Sequence, residues 1–198
     1  LYLISLPILL ETELILKIWI GDVPDYTVVF TRLAIVYVLI DSVSGTLMTG
    51  AHASGKIKKY QAIVGGLLLL NLPISYVFLK IGFPPQVTIY ISILISILAL
   101  FARLNILEPL IGISMNIFFN KVISKIIFVV IGSSIIPLII LYSMDEGLIR
   151  LLINFVTSVL LIIMSVYSLA MNEQEKLFVI SQKNKLKNKL LKLKNEIN

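Results

Sequence analysis

The chain has 198 residues, 58% of them hydrophobic and only 14% charged, and carries a formal net charge of +6. Soluble domains average about 45–50% apolar and about 25% charged residues, so this composition excludes an ordinary soluble fold and identifies a membrane protein. The sequence contains no cysteine, which excludes a disulfide framework and a thiolate metal centre.

Leu1 opens inside an apolar run, with neither an initiator Met nor the basic n-region of a signal peptide, so the chain is expected to be the C-terminal part of a longer protein. That run, "LYLISLPILLETELILKIWIG", reads as a truncated first span. It is interrupted by Glu11, Glu13 and Lys17 and ends with Trp19 where a membrane–water interface should lie. Glu11 and Glu13 are two residues apart and so do not share a helix face, which argues against a paired-carboxylate site. Five full spans follow, at about 28–49, 61–80, 87–105, 122–142 and 149–171, each near the roughly 20 residues needed to cross a bilayer. Such continuous apolar runs lack the alternation of barrel strands. The expected fold class is therefore all-α, a polytopic bundle of about six transmembrane helices.

Polar groups inside these spans carry the functional information, because a charge near the bilayer centre costs at least ~2.5 kcal/mol. In the span 28–49, Asp41 lies within the hydrocarbon beyond its middle and is expected to face a cavity. Ser42, Thr46 and Thr49 follow it on a face suited to close helix packing or to a wet lining. Arg32, near the start of that span, either snorkels to the headgroups or turns inward to meet phosphate.

The next turn, "GAHASGKIKK", nearly matches the phosphate-cradling pattern G-x-x-x-x-G-K-[ST]. Ile57 follows Lys56 where Ser or Thr is required, and the segment joins two spans instead of a strand to a helix. Its glycines are read as turn formers and His52 as a loop residue with no second His or Cys to share a metal. Lys56, Lys58 and Lys59 are read as surface charges that set topology.

In the span 61–80, Asn71 lies near mid-membrane, two residues before Pro73. Proline bends the helix, and Asn71 either bonds a neighbouring helix or lines a pathway at the bend. Arg103 closes the span 87–105 with the same two options as Arg32. The stretch 106–121, interrupted by Pro109 and Asn116, is expected to be an interfacial connector. Beyond Met171 the composition shifts, and "NKLKNKLLKLKNEIN" sets Leu186, Leu190, Leu193 and Ile197 at helical spacing among lysines. This is either a basic amphipathic helix on an anionic leaflet or a solvated tail. Thirteen Lys and Arg residues lie on the side of 50–59 and the tail, against Lys17, Arg32, Lys80 and Arg150 on the other, so the thirteen and the C-terminus are expected to be cytoplasmic.

Taken in order, these segments resemble the C-terminal half of polysaccharide-export flippases of the Wzx type, in the multidrug/oligosaccharidyl-lipid/polysaccharide superfamily. "ILKIWIG" at 15–21 resembles that family's I-L-x-I-W-[IL]-G, and "FTRL" at 30–33 its F-x-R-L. "TGAHASGKIKKYQ" resembles its A-T-G-K-I-K-x-Y-Q loop, with Ser54 where Thr is more usual, and "GGLLLLNLPISYVFLKIGFPP" and "FARL" continue the order. The resemblance is strong over 5–105 and weaker beyond.

It implies a MATE-like, two-lobed transporter that moves undecaprenyl-pyrophosphate-linked oligosaccharide repeats across the bacterial inner membrane for O-antigen or capsule assembly. By that likeness, 1–105 would be the last four spans of the second lobe, 122–171 an accessory two-span extension and 172–198 a cytoplasmic tail. Implied partners are the lipid-linked oligosaccharide, membrane lipids, the missing first lobe and polysaccharide polymerase machinery. Neither a cofactor, a metal, a catalytic group nor a nucleic-acid partner is expected. Arg32 and Arg103 become candidate headgroup contacts, and Asp41 and Asn71 candidate sugar or coupling contacts. Two rival readings are a cation-coupled multidrug antiporter of the same fold, favoured if Asp41 titrates, and a membrane glycan polymerase or ligase, which the short outer loops disfavour.

Overall fold

The computed structural model describes residues 1–53, 55 and 57–182. Lys56 and the lysine-rich stretch with Leu186, Leu190, Leu193 and Ile197 lie outside the described residues. The elements are α1 (Tyr2–Leu10), α2 (Thr12–Ile20), α3 (Thr27–Ala53), α4 (Ile57–Leu69), α5 (Asn71–Ile81), α6 (Val87–Ile111), α7 (Met115–Phe118), α8 (Ser124–Ser143) and α9 (Leu148–Ser165). One π-turn, Phe119–Ile123, joins α7 to α8, and another, Val166–Ala170, ends α9. Five helices are long and apolar enough to cross a membrane: Thr27–Ala53, Ile57–Ile81, Val87–Leu110, Met115–Ser143 and Leu148–Ala170. Large apolar side chains, among them Leu72, Leu94, Phe128 and Leu160, stand exposed along them. Water does not tolerate apolar surface on that scale, and the chain is a multi-pass, all-α membrane protein.

Local chemistry sets the breaks. Pro73 has no N–H to offer the carbonyl of Leu69, and α4 ends at Leu69 with Leu70 as a turn residue before α5. Between α1 and α2, Glu11 leaves helical geometry at φ −103 and ψ 25. The Thr12 hydroxyl there donates to the carbonyls of Ile8 and Leu9, replacing backbone donors lost at the break.

At the end of α5, Gly82 adopts φ +100; its N–H donates to Leu79 O, and the Phe83 N–H reaches back to Phe78 O. The Phe78 and Phe83 rings meet edge-on at 5.2 Å, completing a Schellman stop. In the 50–59 segment only Gly55, at φ +69, acts as a turn former. Gly50 and His52 instead belong to the last turns of α3. The stretch 106–121 is helical nearly throughout. α6 continues through Pro109 to Ile111, and helix resumes at Met115, where Ser114 Oγ accepts from the Ile117 N–H.

α6 is the hub. Of its most apolar window 44% is buried, against 6% for the corresponding windows of α3 and of α4–α5. It packs against α3, α4 and α5, and its Ala99, Leu100, Leu104 and Leu107 share an apolar cluster with Leu47, Tyr60, Val64 and Phe118. α8 and α9 form a second unit, an antiparallel hairpin. α1 contacts α3 as well as α8 and α9, and so joins the two units. An open apolar cleft of about 600 Å³ runs between α1, α3 and α8, lined by Leu6, Leu9, Val36, Leu39, Ile126 and Val130.

Ala99 is fully buried where α6 meets its neighbours, whereas Leu98 is half exposed to lipid. Ala99→Leu overfills that seam and should destabilise the protein by about 1–3 kcal/mol, read as a lower thermal midpoint in detergent. Leu98→Ala serves as the control and should leave the midpoint nearly unchanged.

Candidate functional site

The α3–α6 contact brings Asp41 and Arg103 together. Arg103 Nη1 stands 3.7 Å from Asp41 Oδ1, with the arginine side chain 8% exposed and the aspartate 49%. That separation exceeds hydrogen-bond length, so the two attract as charges without a directional bond. Nε of Arg103 is buried without an acceptor. A guanidinium offers five N–H donors in a planar fork, and here much of that fork is unspent. The pair can therefore exchange its internal partner for an external anion at little cost in lost bonds.

Asp41 opens an unpaired face of α3. Ser42, Thr46 and Thr49 are exposed, and each hydroxyl donates to its own helix, at Leu39 O, Val43 O and Gly45 O. Gly45 on this face has open space beside it, while Ser42 borders the apolar cleft shared with α1 and α8.

Asn71 has a different environment. Its Nδ2 donates to Ser92 Oγ at 3.0 Å, its Oδ1 accepts from Ser75 Oγ at 2.9 Å, and Ser92 Oγ passes a bond on to Thr88 O. This chain of bonds pins α5 to α6. Arg32 is exposed and forms no hydrogen bond or ion pair with the described residues. It precedes Asp41 on α3 by nine residues, about 13 Å along the axis, and so takes no part in the Asp41–Arg103 contact.

Lys58 and Lys59 are exposed in the first turn of α4. The helix dipole opposes cations at that end, so their position does not come from helix stability and suits contact with headgroups.

A second polar centre escaped the sequence reading. Glu11, at the α1–α2 break, is 2% exposed. Arg150, from the first turn of α9, grips it in bidentate fashion, Nε to Oε1 at 3.0 Å and Nη2 to Oε2 at 2.8 Å. Asn154 Nδ2 donates to Oε1 at 2.7 Å, and Arg150 Nη1 to Met144 O at 3.2 Å. Asn154 Oδ1 and Ser158 Oγ are buried beside it without partners. Lys17 adds an exposed bridge from Glu13 to Glu146, at 3.0 and 3.1 Å.

The signal for this centre was one acid and one base, each inside an apolar run, with Lys17 near Glu11 counted on the same side as Arg150. Comparison of the chain with protein-family models, curated proteins and solved structures finds no match.

Removing one partner of a buried, bidentate pair strands the other. Glu11→Gln and Arg150→Met should each destabilise the protein by about 3–5 kcal/mol, and Glu11→Leu combined with Arg150→Met by less than either single change. Lys17→Met should cost about 0–1 kcal/mol, since its pairs are exposed. Unfolding in detergent with increasing denaturing surfactant measures all four.

Proposed function

We propose that this chain is part of a carrier that flips undecaprenyl-pyrophosphate-linked oligosaccharides across the bacterial inner membrane for surface polysaccharide assembly, with its C-terminus in the cytoplasm. The observation that carries the proposal is Arg103. It is a nearly buried guanidinium inside a helical bundle, with Nε unpaired and only a loose contact to Asp41. Burying a cation without full pairing is expensive, and such a group is kept where an anion visits. A diphosphate suits the vacant fork because guanidinium and phosphate oxygens pair in two parallel bonds.

Asp41 then acts as the resting counter-ion. It holds Arg103 between substrates and is released toward the hydroxyl-bearing face of α3, where sugar hydroxyls can bond to Ser42, Thr46 and Thr49. Arg32, exposed nearer the other end of the same helix, is a second headgroup contact along the path. Asn71 supports the pathway by holding α5 against α6. Support also comes from the ordered motifs "ILKIWIG", "FTRL", "GKIKKYQ" and "FARL".

A second reading is cation-coupled antiport. It draws on the half-exposed carboxylate of Asp41, which a proton or an alkali cation can reach.

The test uses the complete protein in a host lacking its own flippase, scored by surface polysaccharide at matched protein levels. Arg103→Ala should reduce export at least tenfold and Arg103→Lys less, because a lysine keeps the charge but loses the fork. Arg32→Ala should reduce export more mildly. Full export by Arg103→Ala removes this residue from the site and the proposal with it. No contribution to polysaccharide export, together with a drug resistance that the protein confers and Asp41→Asn abolishes, selects the antiporter instead.

A further inference from the structure

We propose that segment 173–182 is a membrane-inserted foot that seats the C-terminal hairpin on an anionic lipid surface. The helix of α9 and its π-turn end at Ala170, where Met171 turns extended at ψ 136. Helix begins again at residue 173. Two lysines hold the start of the new segment to the end of the hairpin. Lys125 of α8 donates through Nζ to Ala170 O at 2.8 Å and to Asn172 Oδ1 at 3.2 Å. The Asn172 N–H donates to Glu175 Oε2 at 2.7 Å, a cap for the first turn. Lys176 lies over the Tyr167 ring at 5.8 Å from its centroid. The segment therefore emerges at a fixed place, directly where the last span leaves the bilayer.

Its next turn exposes only apolar side chains. Leu177, Phe178, Val179 and Ile180 are consecutive and 64%, 64%, 41% and 44% exposed. Four consecutive residues fill one complete turn at about 3.6 residues per turn, so no rotation of the helix hides them all. The nearest apolar medium is the lipid at the end of the span. Charge specifies the kind of lipid: six lysines follow between residues 183 and 194, with Glu196 the one acid after them. Lysines at a bilayer surface attract anionic headgroups. This inference is independent of what the chain carries.

The absence of cysteine allows a direct test. Gln174→Cys, Phe178→Cys and Ile180→Cys, each carrying a nitroxide, are placed in the full chain in nanodiscs of phosphatidylcholine, alone or mixed with phosphatidylglycerol. Relaxation by oxygen, which partitions into lipid, is compared with relaxation by an aqueous nickel chelate. The oxygen-to-nickel ratio at residues 178 and 180 should be several-fold above that at residue 174 and should rise further with phosphatidylglycerol. A ratio at 178 and 180 equal to that at 174 in both lipids puts the segment in water and overturns the proposal. Shielding from both agents, with spin–spin broadening that disappears on dilution with unlabelled protein, means that a second copy covers the turn and also overturns it. A high ratio that ignores phosphatidylglycerol overturns the anionic preference.

Discussion

A helix already surrounded by hydrocarbon gains nothing by turning an apolar face toward its neighbour, and this constraint governs how the helices of this chain find one another. Close packing at small residues and a few buried polar contacts must supply the specificity. Ala99 provides the first for α6, and Glu11 with Arg150 provides the second for the two ends of the chain. The bidentate grip joins α1–α2 to α9 across a sequence separation of 139 residues. Tyr2 of α1 adds a hydrogen bond of 2.8 Å to Ser134 of α8, and Lys17 of α2 an exposed bridge to Glu146, so the first two helices carry the polar contacts to the hairpin.

The two arginine–carboxylate pairs divide the work between holding and exchanging. In the Glu11–Arg150 pair both carboxylate oxygens are engaged, Asn154 adds a third bond, and the remaining guanidinium nitrogen reaches a backbone carbonyl. Both charged groups there are fully engaged, and only the neutral Asn154 Oδ1 and Ser158 Oγ nearby lack partners. Arg103 faces one half-exposed carboxylate at 3.7 Å and keeps Nε free. Equal formal charges thus serve different ends because their hydrogen-bond inventories differ, which a list of charged residues does not reveal.

The spans were legible in the sequence because uninterrupted apolar runs of sufficient length have one stable form in lipid. Of the candidate residues, Asp41 and Arg103 proved to be neighbours. Their contact depended on helix rotation and packing, which composition does not specify. Asn71 took the hydrogen-bonding option left open for it. Glu11 was weighed only against Glu13, a local comparison, whereas its partner comes from the far end of the chain. Pro109 looked like an interruption, but α6 continues through it to Ile111 at the loss of one donor to the Asn105 carbonyl. The three-residue gap from Gly112 to Ser114 carries the break instead.

The turn at Leu70 has a mechanical consequence. It divides one membrane crossing into two short rods, and the rods are anchored unequally. α5 is fastened to α6 through Asn71, Ser75 and Ser92, while α4 is held through the apolar side chains of Tyr60 and Val64. Apolar contacts slide, but directed hydrogen bonds do not. The two halves of one crossing are therefore held to α6 by different means, α5 by directed hydrogen bonds and α4 by apolar packing.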